Sequence, residues 1–191
     1  MKKIILLAIA ILAFGFANAQ QTRFGVKGGL NITSFSGDND SEALVGFQLG
    51  GFAEIKIIER LAIQPELLFS TQGAKFNRIG NNNDIDLKMN YINIPVLAKF
   101  YVTKKFTVEA GPQLGFLVSA KSDGTDVKDA YKSVDLGFNF GAGFNITDNF
   151  SVGARYTVGL SNVGDYDADN VDQYLDSPKN SVFAIYAAYK F

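Results

Sequence analysis

The chain of 191 residues contains no cysteine, no histidine and no tryptophan. Without cysteine there can be no disulfide framework and no thiolate nucleophile. Without histidine the usual general base is gone, and with it a Ser–His–Asp site or a zinc centre built from histidines and cysteines. Only 4 prolines occur, and after the N-terminal segment no run approaches the ~18 apolar residues of a membrane-spanning helix. Charge is also modest: the net value of −1 gives no reason to expect nucleic-acid binding. Glycine, at 19 residues, and Phe plus Tyr, at 17 and 8, are what the sequence has in quantity.

The first nineteen residues form a separate signal. Lys2 and Lys3 precede an apolar stretch from Ile4 to Phe16, which is followed by Ala17-Asn18-Ala19. A short positive region, an apolar core and a small-residue site predict a secretory signal peptide at 1–19, cleaved before Gln20. The remainder carries 16 Lys and Arg against 19 Asp and Glu, a net charge of −3. It is long enough for one domain, 20–191.

The clearest pattern lies at Tyr91–Ser119. Ile92, Ile94, Val96, Ala98, Phe100 and Val102 alternate with Tyr91, Asn93, Lys99 and Tyr101. After Thr103-Lys104-Lys105 the alternation resumes with Phe106, Val108, Ala110, Pro112, Leu114, Phe116 and Val118. A period of two over such lengths makes long strands with two unlike faces. Eight segments of this kind run at about Arg23–Phe35, Leu44–Ile57, Leu61–Lys75, Leu87–Val102, Phe106–Ser119, Ser133–Ile146, Phe150–Leu160 and Ser181–Phe191. Their connections alternate between tight turns (Ile58-Glu59-Arg60, Thr103-Lys104-Lys105, Thr147-Asp148-Asn149) and long polar loops.

The apolar sets are almost free of charge, whereas the opposite face carries Lys27, Glu54, Glu66, Lys99, Glu109 and Arg155. A water-soluble barrel of the lipocalin kind has the reverse arrangement. A charged face turned inward requires hydrocarbon outside, where only a closed sheet satisfies every backbone group. The expected fold is therefore all-β: an eight-stranded antiparallel up-and-down transmembrane β-barrel. Periplasmic turns would be short and extracellular loops long. An even strand number would put both termini on the periplasmic side. Phe100, Phe106, Phe144, Phe150 and Phe191 fall near the short-turn end of the outward set, as a periplasmic aromatic girdle would. The expected location is the outer membrane of a Gram-negative bacterium.

Counting from the short-turn end puts the six inward charges in one layer, with Lys99 opposite Glu109. Three are basic and three acidic, which predicts a neutral lumenal ion-pair network padded by Gln48, Gln64, Asn93, Gln113 and Asn139. Pro65, Pro95 and Pro112 lie inside three consecutive segments. Proline cannot donate to a ladder, so bulges are expected at Pro95 and Pro112. The Gly-rich GFNFGAGF (Gly137–Phe144) sits within a strand and reads as close-packed barrel wall, not as a phosphate loop. Asp165, Asp167, Asp169 and Asp176 have partial calcium-loop spacing. The glycine such a loop requires is Asn170 and the last glutamate is Asp176, so the favoured reading is a solvated acidic loop.

YINIPVLAKFY followed by EAGPQLGFL, with an early FGVKGGLN and the terminal aromatic Phe191, resembles the PorT-like small outer-membrane β-barrel proteins of Bacteroidetes, the "porin family". The resemblance spans the whole chain after the signal peptide. It implies insertion by the barrel-assembly machinery, which reads an alternation similar to Phe183, Ile185, Ala187, Tyr189 and Phe191. It supplies no activity, and eight strands enclose only room for side chains rather than a wide pore. The expectation is a monomeric, non-enzymatic barrel without cofactor. Its polar lumen would be plugged, and its role structural or one of surface interaction with outer-membrane lipid, lipopolysaccharide or extracellular partners. The alternatives are a narrow pore for ions or small solutes, or a membrane component of a secretion or assembly complex.

Overall fold

The computed structural model describes residues 22–36, 41–76, 85–122, 124–162 and 179–191. The expected signal peptide and the acidic residues Asp165, Asp167, Asp169 and Asp176 lie outside them. The strands are β1 (Thr22–Ser36), β2 (Ser41–Ile58), β3 (Leu61–Phe76), β4 (Ile85–Tyr101), β5 (Phe106–Ser122), the two-residue β6 (Thr125–Asp126), β7 (Val134–Asn145), β8 (Phe150–Asn162) and β9 (Lys179–Lys190). A 3₁₀ turn, Lys128–Ala130, follows β6. Every neighbouring pair is antiparallel, and β1 pairs with both β2 and β9, so the eight long strands close into a barrel. β6 folds back and pairs antiparallel with the upper end of β5.

The strands form because β-branched and aromatic side chains recur at every second position, where each covers one face of a pleated surface. β9 alternates almost perfectly. Asn180, Val182, Ala184, Tyr186, Ala188 and Lys190 are buried, while Phe183, Ile185 and Tyr189 are exposed. The same holds around the barrel: Phe24, Leu30, Phe47, Leu49, Leu67 and Phe140 lie outside, whereas Lys27, Asn31, Glu54, Gln64, Glu66 and Asn139 are buried inside. Phe100, Phe106, Phe144, Phe150 and Phe191 are exposed near the short-turn end. An apolar exterior around a polar interior is the inverse of a water-soluble fold and matches a barrel set in lipid.

The bulges expected at Pro95 and Pro112 are absent. Pro95 faces Gln113, Ala98 faces Ala110, and the register is the same on both sides of the prolines. Pro65 likewise faces Val96 without a shift. Proline forfeits a ladder donor, but an inserted residue would turn the whole following strand inside out, and the lipid belt forbids that. Register shifts occur instead nearer the strand ends, between Ala43 and Gln48, Lys56 and Ile58, Asn90 and Tyr91, and Val158 and Asn162. The shift at Asn90/Tyr91 has a visible result. Tyr91 pairs with Leu117 but Asn90 with Ser119, so both Leu117 and Ala120 turn inward, and Ala120 takes the buried place that alternation gives to Ser119.

Two glycines make room for inward rings. A Cβ on Gly153 would come within 2.6 Å of the Tyr186 ring, and one on Gly25 would collide with Phe52. Leu49 marks the middle of the outward face of β2, 60% exposed. Replacing it by arginine is expected to destabilise the folded barrel by about 2–4 kcal/mol in phospholipid vesicles, the cost of a cation on the lipid face near the midplane. Urea titration followed by heat-modifiable gel mobility measures it.

Candidate functional site in the barrel lumen

The inward residues build three layers. The lowest holds the charges. Lys27 comes from β1, Glu54 from β2, Glu66 from β3, Lys99 from β4, Glu109 from β5 and Arg155 from β8, and all six are buried. Arg155 is their centre. Its Nη1 donates to Glu66 Oε2 at 2.7 Å and its Nη2 to Glu66 Oε1 at 3.0 Å. Its Nε and Nη2 also donate to Glu109 Oε1 at 2.9 and 2.6 Å. β8 and β3 are four strands apart in either direction around the eight-stranded ring, so the Arg155–Glu66 pair spans the lumen from wall to wall.

Glycine makes the Arg155–Glu109 contact possible. Gly141 lies between them in register, opposite both Glu109 and Arg155. A Cβ there would sit 2.9 Å from the Glu109 side chain. Gly141 of GFNFGAGF therefore clears space for the charges on its two neighbouring strands, while Gly143 and Gly137 lie against Thr107 and Thr157. Lys27 completes this half by donating from Nζ to Glu66 Oε1 at 2.5 Å, with its ammonium 4.2 Å from the centre of the Tyr186 ring. The Tyr186 hydroxyl donates to Glu109 Oε1 at 3.1 Å.

Lys99 faces Glu109 in register, as the counting predicts. Its ammonium nevertheless turns the other way, donating to Glu54 Oε2 and Gln64 Oε1, each at 3.2 Å. Gln64 then donates from Nε2 to Glu66 Oε1 at 2.6 Å and joins the two halves. Glu54 also accepts from the Tyr101 hydroxyl at 2.6 Å and from Lys190 Nζ at 3.4 Å. Lys190, Tyr101 and Tyr186 are partners that the charge count omits. Lys190 and Tyr186 lie on the same inward parity of β9 and were readable there. With Lys190 the layer holds four bases and three acids, so it is not the neutral set expected from six residues.

Above the charges lies a neutral polar layer. Asn31 Nδ2 donates to Ser70 Oγ at 2.9 Å, and the Thr157 hydroxyl to Asn139 Oδ1 at 2.7 Å. Asn139 Nδ2 reaches Gln113 Oε1 at 3.3 Å. Gln48 and Asn93 are buried in the lumen as well. Higher still, Asn180 of β9 donates to Gln72 of β3 at 2.9 Å and to Asp135 at 3.3 Å. The third layer is apolar: Ala74, Leu87, Met89, Tyr91, Leu117 and Ala120, with Val127 and Tyr131 packed on it from the segment after β5. Sequence alternation did not single out this layer, because its members differ in kind from the charges below them.

The profile of the outer membrane protein beta-barrel domain family matches residues 18–165. The chain belongs to this family. As a family barrel it resides in the outer membrane of a Gram-negative bacterium. Among solved structures, neisserial surface protein A is similar at 17% identity, over 88% of this chain and 97% of that one, with a TM-score of 0.57. The outer-membrane protein Ail of Yersinia pestis in a phospholipid bilayer nanodisc is similar at 15% identity, over 90% of this chain and 100% of that one, with a TM-score of 0.52. These likenesses establish the family barrel's fold. No curated protein matches the chain.

Removing one partner of a buried charge network leaves the others uncompensated. Arg155→Met is expected to destabilise this outer-membrane barrel by about 3–5 kcal/mol. The double variant Arg155→Met, Glu109→Gln, which keeps the Lys27–Glu66 pair, should recover much of that loss. Urea unfolding in phospholipid vesicles, read by far-ultraviolet circular dichroism, gives both numbers. A loss under about 1 kcal/mol for the single variant would mean that the charges stand in bulk-like water.

Proposed function

We propose that the protein is a closed, non-conducting barrel that anchors surface segments in the outer membrane, and that these segments make its external contacts. The observation that carries the reading is the Arg155–Glu66 pair across the full lumen, held on either side by Lys27 and Glu109. A buried charge network with bidentate arginine contacts resists rearrangement, because every alternative geometry leaves a charge without its partner. The apolar layer around Leu87, Met89, Tyr91 and Leu117 closes the same lumen a second time.

The connections β1–β2, β3–β4, β5–β7 and β8–β9 open at the end opposite the tight turns, which is the extracellular end in barrels of this architecture. They are the segments that would meet lipopolysaccharide or an extracellular partner, with the monomeric barrel as their anchor. Within the family, the motifs FGVKGGLN, YINIPVLAKFY and EAGPQLGFL favour kinship with the PorT-like proteins, inserted by the barrel-assembly machinery. The chain has no histidine to act as a general base, which favours a role without catalysis.

Planar-bilayer recording tests the reading. The refolded wild-type protein should show no steady conductance. The double variant Glu66→Ala, Arg155→Ala, combined with Leu117→Ala, should admit small ions. A large steady conductance from the wild-type protein would sink the closed-lumen proposal in favour of a narrow pore.

A further inference from the structure

The short-turn mouth of the barrel holds a concavity of about 500 Å³. Arg23, Lys56, Arg60, Lys104 and Lys190 line it. Against these five bases stand three acids, Glu54, Glu59 and Asp148. Glu54 is already engaged: Lys99 and Lys190 share its carboxylate, and the Tyr101 hydroxyl donates to it. Arg23 spends Nη1 on the backbone carbonyl of Asp148 at 3.0 Å, a contact that leaves its charge uncompensated. Arg60 and Lys104, on two different tight turns, have no ion pair among the described residues.

Lys190 is the informative member. Its side chain is 5% exposed, yet its acceptors are the two oxygens of one shared carboxylate, at 3.4 and 3.5 Å. An ammonium has three donors, and a buried one normally takes close charged or polar acceptors for them. Here the floor of a basic concavity carries a buried cation held only by long, shared contacts. Lys190 borders the open concavity, so a further anion could reach its ammonium from that side.

We propose that this mouth binds a small multivalent anion bearing phosphate or carboxylate groups, with Lys190 at its floor and Arg60 and Lys104 at its rim. The volume suits a small ligand. The ligand is a soluble anion rather than a lipid headgroup. Lys190, Lys56 and Arg23 share the inward parity of Glu54, inside the ring of strands, whereas lipid meets the outward face. With the tight turns on the periplasmic side, such an anion arrives from the periplasm. The site opens at the mouth, on the outer side of the charge layer to which Lys190 belongs, so its binding is read by calorimetry whether or not the barrel conducts, and conductance is read separately.

The test uses the folded full-length barrel in uncharged maltoside micelles, titrated with pyrophosphate by calorimetry at low salt. Saturable binding is expected, weakening as salt is raised. Lys190→Gln should weaken it at least about tenfold, and so should the double variant Arg60→Ala, Lys104→Ala. Lys121→Ala with Lys132→Ala, at the opposite end, should leave it unchanged. Heat-modifiable gel mobility establishes that each variant is folded. The rim variants lie in turns and keep the test open if Lys190→Gln fails to assemble. A second arm reconstitutes the barrel in phosphatidylcholine vesicles with and without phosphatidylglycerol. Absence of saturable heat with pyrophosphate, binding indifferent to the rim variants, or protection from unfolding conferred by phosphatidylglycerol alone would each overturn the proposal.

Discussion

Hydrocarbon offers no hydrogen-bond partner, so every backbone amide and carbonyl in the apolar belt must be satisfied within the protein. For strands this is possible only when the first pairs with the last, as β1 does with β9 from Gly25–Lys190 to Ser36–Lys179. Closure then dictates the rest. A cylinder of eight strands has an interior too narrow for bulk water and too wide to stay empty, so side chains of the chain itself must fill it. The outer face, meanwhile, is left to Leu, Ile, Val and Phe, whose exposure would be a liability in water.

What fills the interior is governed by the cost of burying charge. A carboxylate or ammonium taken out of water is tolerated only with partners at hydrogen-bonding distance. Arg155 meets that requirement for two glutamates at once, because its planar fork presents several donors in fixed directions. Lysine is a point charge on a flexible stem, and it serves here in singly directed roles at Glu66 and Glu54. The small residues of the wall are as necessary as the charged ones. Gly141 lets Arg155 and Glu109 meet past an intervening strand, and Gly153 gives Tyr186 the space from which it reaches Glu109. The two mouths differ accordingly: toward the long-loop side an apolar cluster lines β3, β4 and β5, and the short-turn side carries an excess of basic groups.

Two kinds of feature separate cleanly. The period-two alternation of Ile92–Val102 and Phe106–Val118, and the alternation of tight and long connections, were readable in the chain. With them came strand number, antiparallel pairing, the lipid-facing set and strand limits within three residues of those observed. These are local properties, repeated in every strand, and a one-residue error would reverse both faces. The inward placement of Lys27, Glu54, Glu66, Lys99, Glu109 and Arg155 was legible for the same reason. Even the register of Lys99 against Glu109 follows from counting along one hairpin.

The choice of partners was not legible. Lys99 turns from its cross-strand neighbour to Glu54, and Arg155 reaches Glu66 on the far wall, because contacts across a lumen depend on strand tilt and curvature rather than on sequence separation. Prolines that looked like bulge sites kept the register, since the lipid belt penalises a slip more than the loss of one hydrogen bond. The sequence by itself determined which side chains point inward below the strand-end register shifts, and that the exterior must be apolar. Only the closed tertiary structure decided which charges meet, where the apolar layer lies, and that Lys190 joins the network, for these follow from bringing distant strands around a common axis.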